Sequence, residues 1–190
     1  MAVAQLFAER GLDGATMSDI AEVTGIPRAT LYYYFDGKES VFACMCALAL
    51  DRFEEVLAGA LSGTGSAADR LGRVVRAHLD FCAAHPAAFL AMHLDLGRAA
   101  RRAEMGNRII RAYLRPVVRL FEEGAADGTI RPVASPRATA AALLGATTMA
   151  VENVLLWAGE QSVDELYEPV MSLVLHGLDP SPAALPASLA

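Results

Sequence analysis

The spacing of apolar residues is the feature that most constrains the fold of this chain. Apolar side chains recur three and four positions apart along most of its 190 residues, and no segment sustains an apolar-polar alternation. The first pattern is typical of amphipathic helices, whereas half-buried strands need the second. Glycine and proline residues divide the helical pattern into separate segments. We therefore expect an all-α protein with about nine helices.

Composition excludes two broad classes of protein. Hydrophobic residues make up 54% of the chain and charged residues 20%, a balance that disordered chains do not have. No uncharged apolar run reaches the roughly 18 to 20 residues that a membrane-spanning helix needs. The chain begins MAVAQLFAERG, without the pattern of a secretion signal, and its three cysteines are an odd number. We expect a soluble protein of the reducing cytoplasm.

Residues 17–35, MSDIAEVTGIPRATLYYYF, are the most informative segment. Thr16 followed by Asp19 is typical of a capping box at the start of a helix, and Gly25 is typical of the end of that helix. Pro27 suits the first turn of a following helix, where its missing N–H costs nothing. Two short helices joined by a tight turn are the sequence form of a helix-turn-helix.

The second of these helices has an unusual exposed face. Leu31 and Phe35 lie four residues apart and are expected to face the core, which directs Arg28 and the tyrosines at 32–34 outward. Buried cores seldom contain consecutive tyrosines, whereas DNA grooves offer apolar contact and hydrogen-bond acceptors. Residues 1–47 carry three bases and six acids, but acids far from the phosphates are screened beyond about 10 Å. We therefore predict that this face binds DNA.

The N-terminal quarter of the chain resembles the tetracycline-repressor (TetR) family of transcriptional regulators. The matching residues are LFAERG at 6–11, Thr16, DIA at 19–21, TGIPRATLYYYF at 24–35 and Lys-Glu at 38–39. The resemblance implies that Arg28, Thr30 and Tyr33 lie against base edges in the major groove. It also implies that other side chains of this segment hold phosphates. The predicted DNA-binding set is Thr16, Arg28, Ala29, Thr30, Tyr32, Tyr33, Tyr34 and Lys38.

Other interpretations stay open for two of these residues and for the start of the chain. Thr16 can instead cap a helix, and Lys38 can be a solvated charge. The resemblance implies a basic arm and one more helical turn before Met1. We therefore expect upstream residues with at least one base in the native protein, and weak operator binding by a protein that starts at Met1.

The remaining sequence matches the family in its helical layout. We expect a three-helix helix-turn-helix domain at 1–47, a helical bundle for ligand binding and dimerisation at 48–177, and a flexible tail at 178–190. The resemblance implies that the last two long helices pair across a two-fold axis, where small residues permit close helix approach. The predicted dimer interface is Ala141, Ala142, Gly145, Thr148, Leu166, Val170, Leu173 and Val174. An internal core helix is the alternative for this segment.

The resemblance also implies a ligand cavity between the central helices of the bundle. Aromatic walls with a few polar groups would suit a largely apolar effector with one or two hydrogen-bonding groups. The candidate pocket residues are His78, Phe81, Cys82, Phe89, Met92, His93, Tyr113, Met149, Asn153 and Trp157.

A basic stretch precedes the C-terminal third of the chain. Its arginines are Arg98, Arg101, Arg102, Arg108, Arg111, Arg115 and Arg119. The last four share one helical face, which is either a solvated surface or the mouth of a site that attracts an anionic effector.

The function that these patterns predict is a DNA-binding transcriptional regulator, a repressor that a small molecule releases from its operator. The predicted partners are double-stranded operator DNA, that effector and a second copy of the chain. We expect no cofactor, no metal site and no enzymatic activity, because no nucleophile with a paired base or pair of carboxylates is readable. The alternatives are a DNA-binding protein without an effector and a helical ligand carrier or enzyme.

Overall fold

A computed structural model describes residues 2–95, 106–157 and 162–178, which fold into helices and their connections without a strand in those ranges. The α-helices are α1 (Ala2–Gly14), α2 (Met17–Thr24), α3 (Arg28–Tyr34), α4 (Lys38–Leu61), α5 (Ala67–Ala84), α6 (Pro86–Asp95), α7 (Arg115–Asp127), α8 (Pro136–Leu156) and α9 (Tyr167–Leu178). The predicted all-α fold of about nine helices is confirmed over this part of the chain.

Two helices are preceded by irregular turns that the sequence pattern did not predict. Residues 106–109 are helical and continue through a π-helical turn at Ile110–Leu114 into α7. A 3₁₀ turn at Val163–Leu166 leads into α9. The apolar spacing of the sequence predicts single helices at 106–126 and 163–176, and the structure shows that both are irregular near their N-terminal ends.

Some helix boundaries also differ from the prediction. Pro27 is the residue before α3 and not its first helical residue, with φ −54° and ψ 139°. Glycine at position 11 predicts the end of the first helix, and Gly11 does interrupt α1, because its φ of 65° and ψ of 170° are not helical, but another turn follows it. The sequence pattern also predicts a helix at 86–103, of which residues 96–103 lie outside the described residues, as does the expected tail beyond Leu178.

The described residues fall into two compact units. The first unit takes in Met1–Glu55 and Phe81–Ile109, and α1 packs on α6 within it. Phe7 is fully buried and its ring meets that of Phe42 edge to face, with centroids 5.1 Å apart. The helical spacing of apolar residues places Leu48 on the inner side of α4, and the structure corrects this prediction because Leu48 is 61% exposed. Burying an aromatic side chain of this size contributes about 1.5 to 3 kcal/mol, so Phe7 and Phe42 are major sources of stability for this unit.

The second unit takes in Val56–Asp80 and Ile110–Ala190, over those of its residues that the structure describes. Its core is lined by apolar side chains of α5, α7, α8 and α9. Fully buried members are Leu71, Val75, Leu79, Val117 and Val151. Gly124 packs so closely on Ile130 that an added Cβ would lie 2.6 Å from that side chain. The domain boundaries at 47 and 177 stay predictions.

Candidate functional site

The turn between α2 and α3 is built by local hydrogen bonds. Gly25 ends α2 in the left-handed conformation, with φ 68° and ψ 10°. The Thr24 hydroxyl donates to the Ile20 carbonyl at 2.7 Å and accepts from the Ile26 amide at 3.3 Å. These bonds satisfy backbone groups that the end of a helix leaves open, and they set the direction in which α3 leaves the turn.

Helix α3 is anchored by one residue and exposes the rest. Leu31 is 4% exposed, whereas Tyr33 is 81% and Tyr34 71% exposed. The Arg28 guanidinium carbon lies 5.7 Å from the centre of the Tyr32 ring, as expected for residues four apart on a helix. Ala29 and Thr30 are exposed on the same short helix. The predicted inward and outward sides of α3 therefore agree with the structure, while contact with DNA stays a prediction.

Thr16 belongs to a network at the start of α2. Its hydroxyl accepts from the Asp19 amide at 3.2 Å and its own amide donates to Asp19 Oδ2 at 2.8 Å, which completes the expected capping box. The hydroxyl also donates to Asp19 Oδ2 at 2.6 Å. Asp19 Oδ1 accepts from Arg10 Nη1 at 2.8 Å. The hydrogen bonds from Thr16 and the charge of Arg10 lower the pKa of Asp19. Thr16 is exposed, and its phosphate contact stays a prediction beside this capping role.

Lys38, at the start of α4, reaches back to the end of α1. Its Nζ donates to the carbonyl of Asp13 at 2.8 Å and to that of Ala15 at 3.0 Å. This ammonium is therefore not merely a solvated charge, and one of its three protons stays available to a phosphate oxygen.

The interior of the second unit contains polar side chains among apolar ones. The rings of His78 and Tyr113 meet edge to face with centroids 5.5 Å apart, and both residues are almost fully buried. Burial lowers the pKa of His78 to about 4, so its imidazole is neutral at pH 7. Burial raises the pKa of Tyr113, against a hydrogen bond with Thr147 that lowers it. Two of the predicted pocket residues thus lie together.

The other predicted pocket residues lie in the first unit or on the outer side of α8, and their role in a pocket stays a prediction. Phe81, Cys82, Phe89, Met92 and His93 belong to the first unit, where Phe89 and His93 stack with centroids 5.7 Å apart. Three more lie exposed on the outer side of α8 and its C-terminal end: Met149, Asn153 and Trp157. The buried side of α8 instead contributes Thr147 and Glu152, which sequence reasoning missed. No sequence signal identified them, because α8 is apolar on nearly every side.

The predicted dimer residues also divide into two sets. On α8, Ala141, Ala142 and Gly145 are exposed and Thr148 is half-buried. Leu166 and Val170 are buried within their own chain, whereas Leu173 is 68% exposed. Val174 lies on α9, but its side chain is outside the described residues.

Helix α8 is also long and apolar enough to cross a membrane by composition, which is weak evidence because helices buried in soluble proteins pass the same test.

The arginines of the basic stretch have different environments. Arg98, Arg101 and Arg102 lie outside the described residues. Arg108 donates to Asp51 at 2.6 Å and to Glu54 at 2.8 Å, both on α4, within the first unit. The other three, Arg111, Arg115 and Arg119, are exposed.

Comparison with known protein families accounts for most of the chain. A family described as bacterial regulatory proteins, tetR family, matches residues 2–45, and one described as tetracyclin repressor-like, C-terminal domain, matches residues 64–178. The biofilm operon icaADBC HTH-type negative transcriptional regulator IcaR of Staphylococcus aureus (strain Newman) is 51% identical over 37 residues, which are 20% of each chain. The fatty acid metabolism regulator protein of Bacillus subtilis (strain 168) is 23% identical over 93% of this chain and 92% of its own.

Solved structures share the fold over nearly the whole chain. The regulator FadR from Bacillus subtilis in complex with stearoyl-CoA has a TM-score of 0.80 at 21% identity, covering 93% of this chain and 96% of that one. AibR in complex with isovaleryl coenzyme A and operator DNA has a TM-score of 0.75 at 20% identity, covering 92% and 94%.

Proposed function

Since the chain belongs to the tetR family of bacterial regulatory proteins, we propose that it represses transcription by binding operator DNA until a small-molecule effector releases it. The observation that carries the proposal is the side-chain arrangement on α3. Leu31 fixes the helix to the core, while Arg28, Thr30 and Tyr33 face solvent. This is the arrangement that a recognition helix needs in order to enter a major groove.

Each exposed side chain of α3 has a chemistry suited to DNA. The Arg28 guanidinium can donate two parallel hydrogen bonds to guanine O6 and N7. Tyr32 and Tyr34 would donate to phosphates on either side of the groove, together with Thr16 and Lys38. The IcaR relative is described as a negative transcriptional regulator, which supports repression and not activation as the mode of control.

We infer that the effector is an acyl-coenzyme A. Two proteins of the same fold are described in complex with stearoyl-CoA and with isovaleryl coenzyme A. An apolar bundle that buries the polar side chains of His78 and Tyr113 beside one another would suit an acyl chain with one carbonyl group, because an imidazole N–H and a phenol O–H are donors from which a carbonyl accepts. The acyl groups in these two complexes differ in length, and binding measurements with both ligands determine which length this protein prefers.

We also infer that the protein acts in the cytoplasm as a homodimer. The outer side of α8 exposes Ala141, Ala142, Gly145 and Met149, and Trp157 follows at its end. Exposed apolar side chains in such a row are typical of an interface. An operator of two half-sites about 34 Å apart then requires two copies of α3.

The decisive experiment joins DNA and effector in one measurement. DNA fragments selected from a random pool by the purified protein should share a two-fold symmetric site, and stearoyl-CoA or isovaleryl-CoA should release them. Linkage requires that the DNA weaken acyl-CoA binding by the same factor. Selection of no common sequence would refute the DNA proposal. Equal acyl-CoA affinity with and without DNA would refute its role as effector.

A further inference from the structure

Arg111, Arg115 and Arg119 form a basic stripe on the exposed side of the helical segment that leads into and along α7. All three side chains are exposed. Over residues 2–95, 106–157 and 162–178 the structure gives these three guanidinium groups no ion pair or hydrogen bond. By contrast, Arg70 pairs with Glu123 and Arg76 lies over the Tyr167 ring, 3.8 Å from its centre, in the same unit. Exposure and their alignment along one helical segment distinguish these three arginines from Arg70 and Arg76.

The spacing of the stripe follows from helix geometry. Residues four apart on an α-helix lie on nearly the same face and about 6 Å apart along its axis, as Arg115 and Arg119 do on α7, while Arg111 lies about one turn earlier in the π-helical turn. The opposite face of the segment is buried through Tyr113 and Val117. Glu122 and Glu123 follow Arg119, and Glu123 is already paired with Arg70. The stripe is therefore a fixed row of positive charge on a chain whose net charge is −6.

We propose that this stripe binds the phosphate groups of the coenzyme A part of the effector, an inference that rests on the proposed acyl-coenzyme A regulation. Coenzyme A carries a pyrophosphate and a separate ribose phosphate, so its anionic groups are spread over several ångströms. Guanidinium groups bind phosphates through two parallel hydrogen bonds and keep their charge at any physiological pH. A row of three can engage both phosphate sites, while the acyl chain is left to apolar side chains. Arginine and not lysine is the residue that such recognition favours.

The test compares ligands that share the acyl chain and differ in phosphate. Binding of stearoyl-CoA and of S-stearoyl-pantetheine, which lacks all phosphates, is measured by calorimetry with the full chain. The stripe variant is Arg111→Gln, Arg115→Gln and Arg119→Gln together. The charge-matched control is Arg52→Gln, Arg131→Gln and Arg137→Gln, three exposed arginines elsewhere in the chain. Circular dichroism establishes that both variants fold, and operator binding without effector is measured separately for each.

The stripe variant should bind stearoyl-CoA about tenfold to one hundredfold more weakly, since each exposed charge-assisted contact contributes about a two- to fivefold effect. Its affinity for S-stearoyl-pantetheine should equal that of the unsubstituted protein, and raised salt should weaken stearoyl-CoA binding less. Equal losses in the stripe variant and the control would overturn the stripe and leave acyl-coenzyme A as the effector. Failure of the unsubstituted protein to bind stearoyl-CoA, isovaleryl-CoA or S-stearoyl-pantetheine would overturn both proposals. Loss of operator binding in the stripe variant alone would assign the stripe to DNA instead.

Discussion

The Lys38 ammonium donates to the backbone carbonyl of Asp13 at 2.8 Å, across 25 positions of sequence. That carbonyl lies in the last turn of α1, and the Ala15 carbonyl that accepts a second bond directly follows the helix. Carbonyls at a helix end have no partner inside the helix, and a cation placed there also suits the helix dipole. Lys38 therefore caps α1 from the start of α4.

Replacing Lys38 by methionine should weaken both folding and DNA binding. We expect Lys38→Met to lower the free energy of unfolding by about 1 kcal/mol, the usual net value of such hydrogen bonds. In the unsubstituted protein the third proton of the Lys38 ammonium is expected to reach a phosphate. Its loss in Lys38→Met should therefore reduce the log–log salt slope of operator binding by about 0.9 per chain. Denaturant unfolding and salt titrations measure the two effects.

Lys38 can also be probed without substitution, because it is the only lysine in the chain. Amine acylation followed by peptide mass spectrometry should show that operator DNA slows its modification further than folding alone does. For Lys38→Met, a loss of stability with an unchanged salt slope of operator binding would restrict Lys38 to capping.

Substitutions on the exposed side of α3 should separate base recognition from folding. Arg28→Ala and Tyr33→Ala should leave unfolding and oligomeric state unchanged, because both side chains point away from Leu31. Loss of a two-bond base contact should cost Arg28→Ala about 1 to 3 kcal/mol of discrimination. Binding isotherms on the operator and on a scrambled sequence measure that difference. Equal losses on both sequences would make Arg28 a phosphate contact.

The outer side of α8 allows a direct test of dimerisation. An added Cβ at Gly145 meets no atom of its own chain within 4 Å, so Gly145→Arg should fit the monomer and block a partner. Sedimentation should show a monomer, and the fluorescence of Trp157, the single tryptophan, should shift on dissociation. Gly59, on α4, is equally open, and Gly59→Arg is the matched control that should remain a dimer. An unchanged dimer in both variants would remove α8 from the interface.

Protonation of His78 should make stability depend on pH. Burial lowers the pKa of His78 from 6.5 to about 4 in the folded chain. Between these values the unfolded chain binds more protons, so stability is complete above pH 6.5 and falls as pH drops. From pH 7 to pH 5 this residue alone should remove about 2 kcal/mol. Urea unfolding at both pH values should show a smaller loss in His78→Gln than in the unsubstituted protein. An identical loss in both would contradict the burial of a neutral imidazole.

The helix-turn-helix was readable from the sequence because its signals are local. The Thr16 and Asp19 capping box, the left-handed Gly25 and the buried Leu31 each depend on residues within one turn of themselves. The sequence could not show the Lys38 bonds to α1, since their partners are backbone carbonyls 23 and 25 positions away. The prediction that Leu48 is buried was wrong for a related reason, because helical spacing alone does not show where the packed face of α4 ends.

The second unit was harder to predict because its signals are ambiguous. Helix α8 is apolar on almost every side, so its periodicity could not distinguish the buried Thr147 and Glu152 from the exposed Met149 and Asn153. The π-helical turn at Ile110–Leu114 has no characteristic residue pattern that a sequence would show, because it depends on the surrounding packing. His78 and Tyr113 were found because buried aromatic and polar residues are few in a chain rich in small apolar ones.

The exposed apolar side of α8 makes the amount of protein a variable of regulation. If the proposed dimer forms there, its population at low abundance rises with the square of the monomer concentration, and so does occupancy of a two-fold operator. A modest drop in synthesis, or a modest rise in proteolysis, would then lower operator occupancy by a larger factor than it lowers the protein concentration. Dilution at cell growth would act in the same direction as the effector.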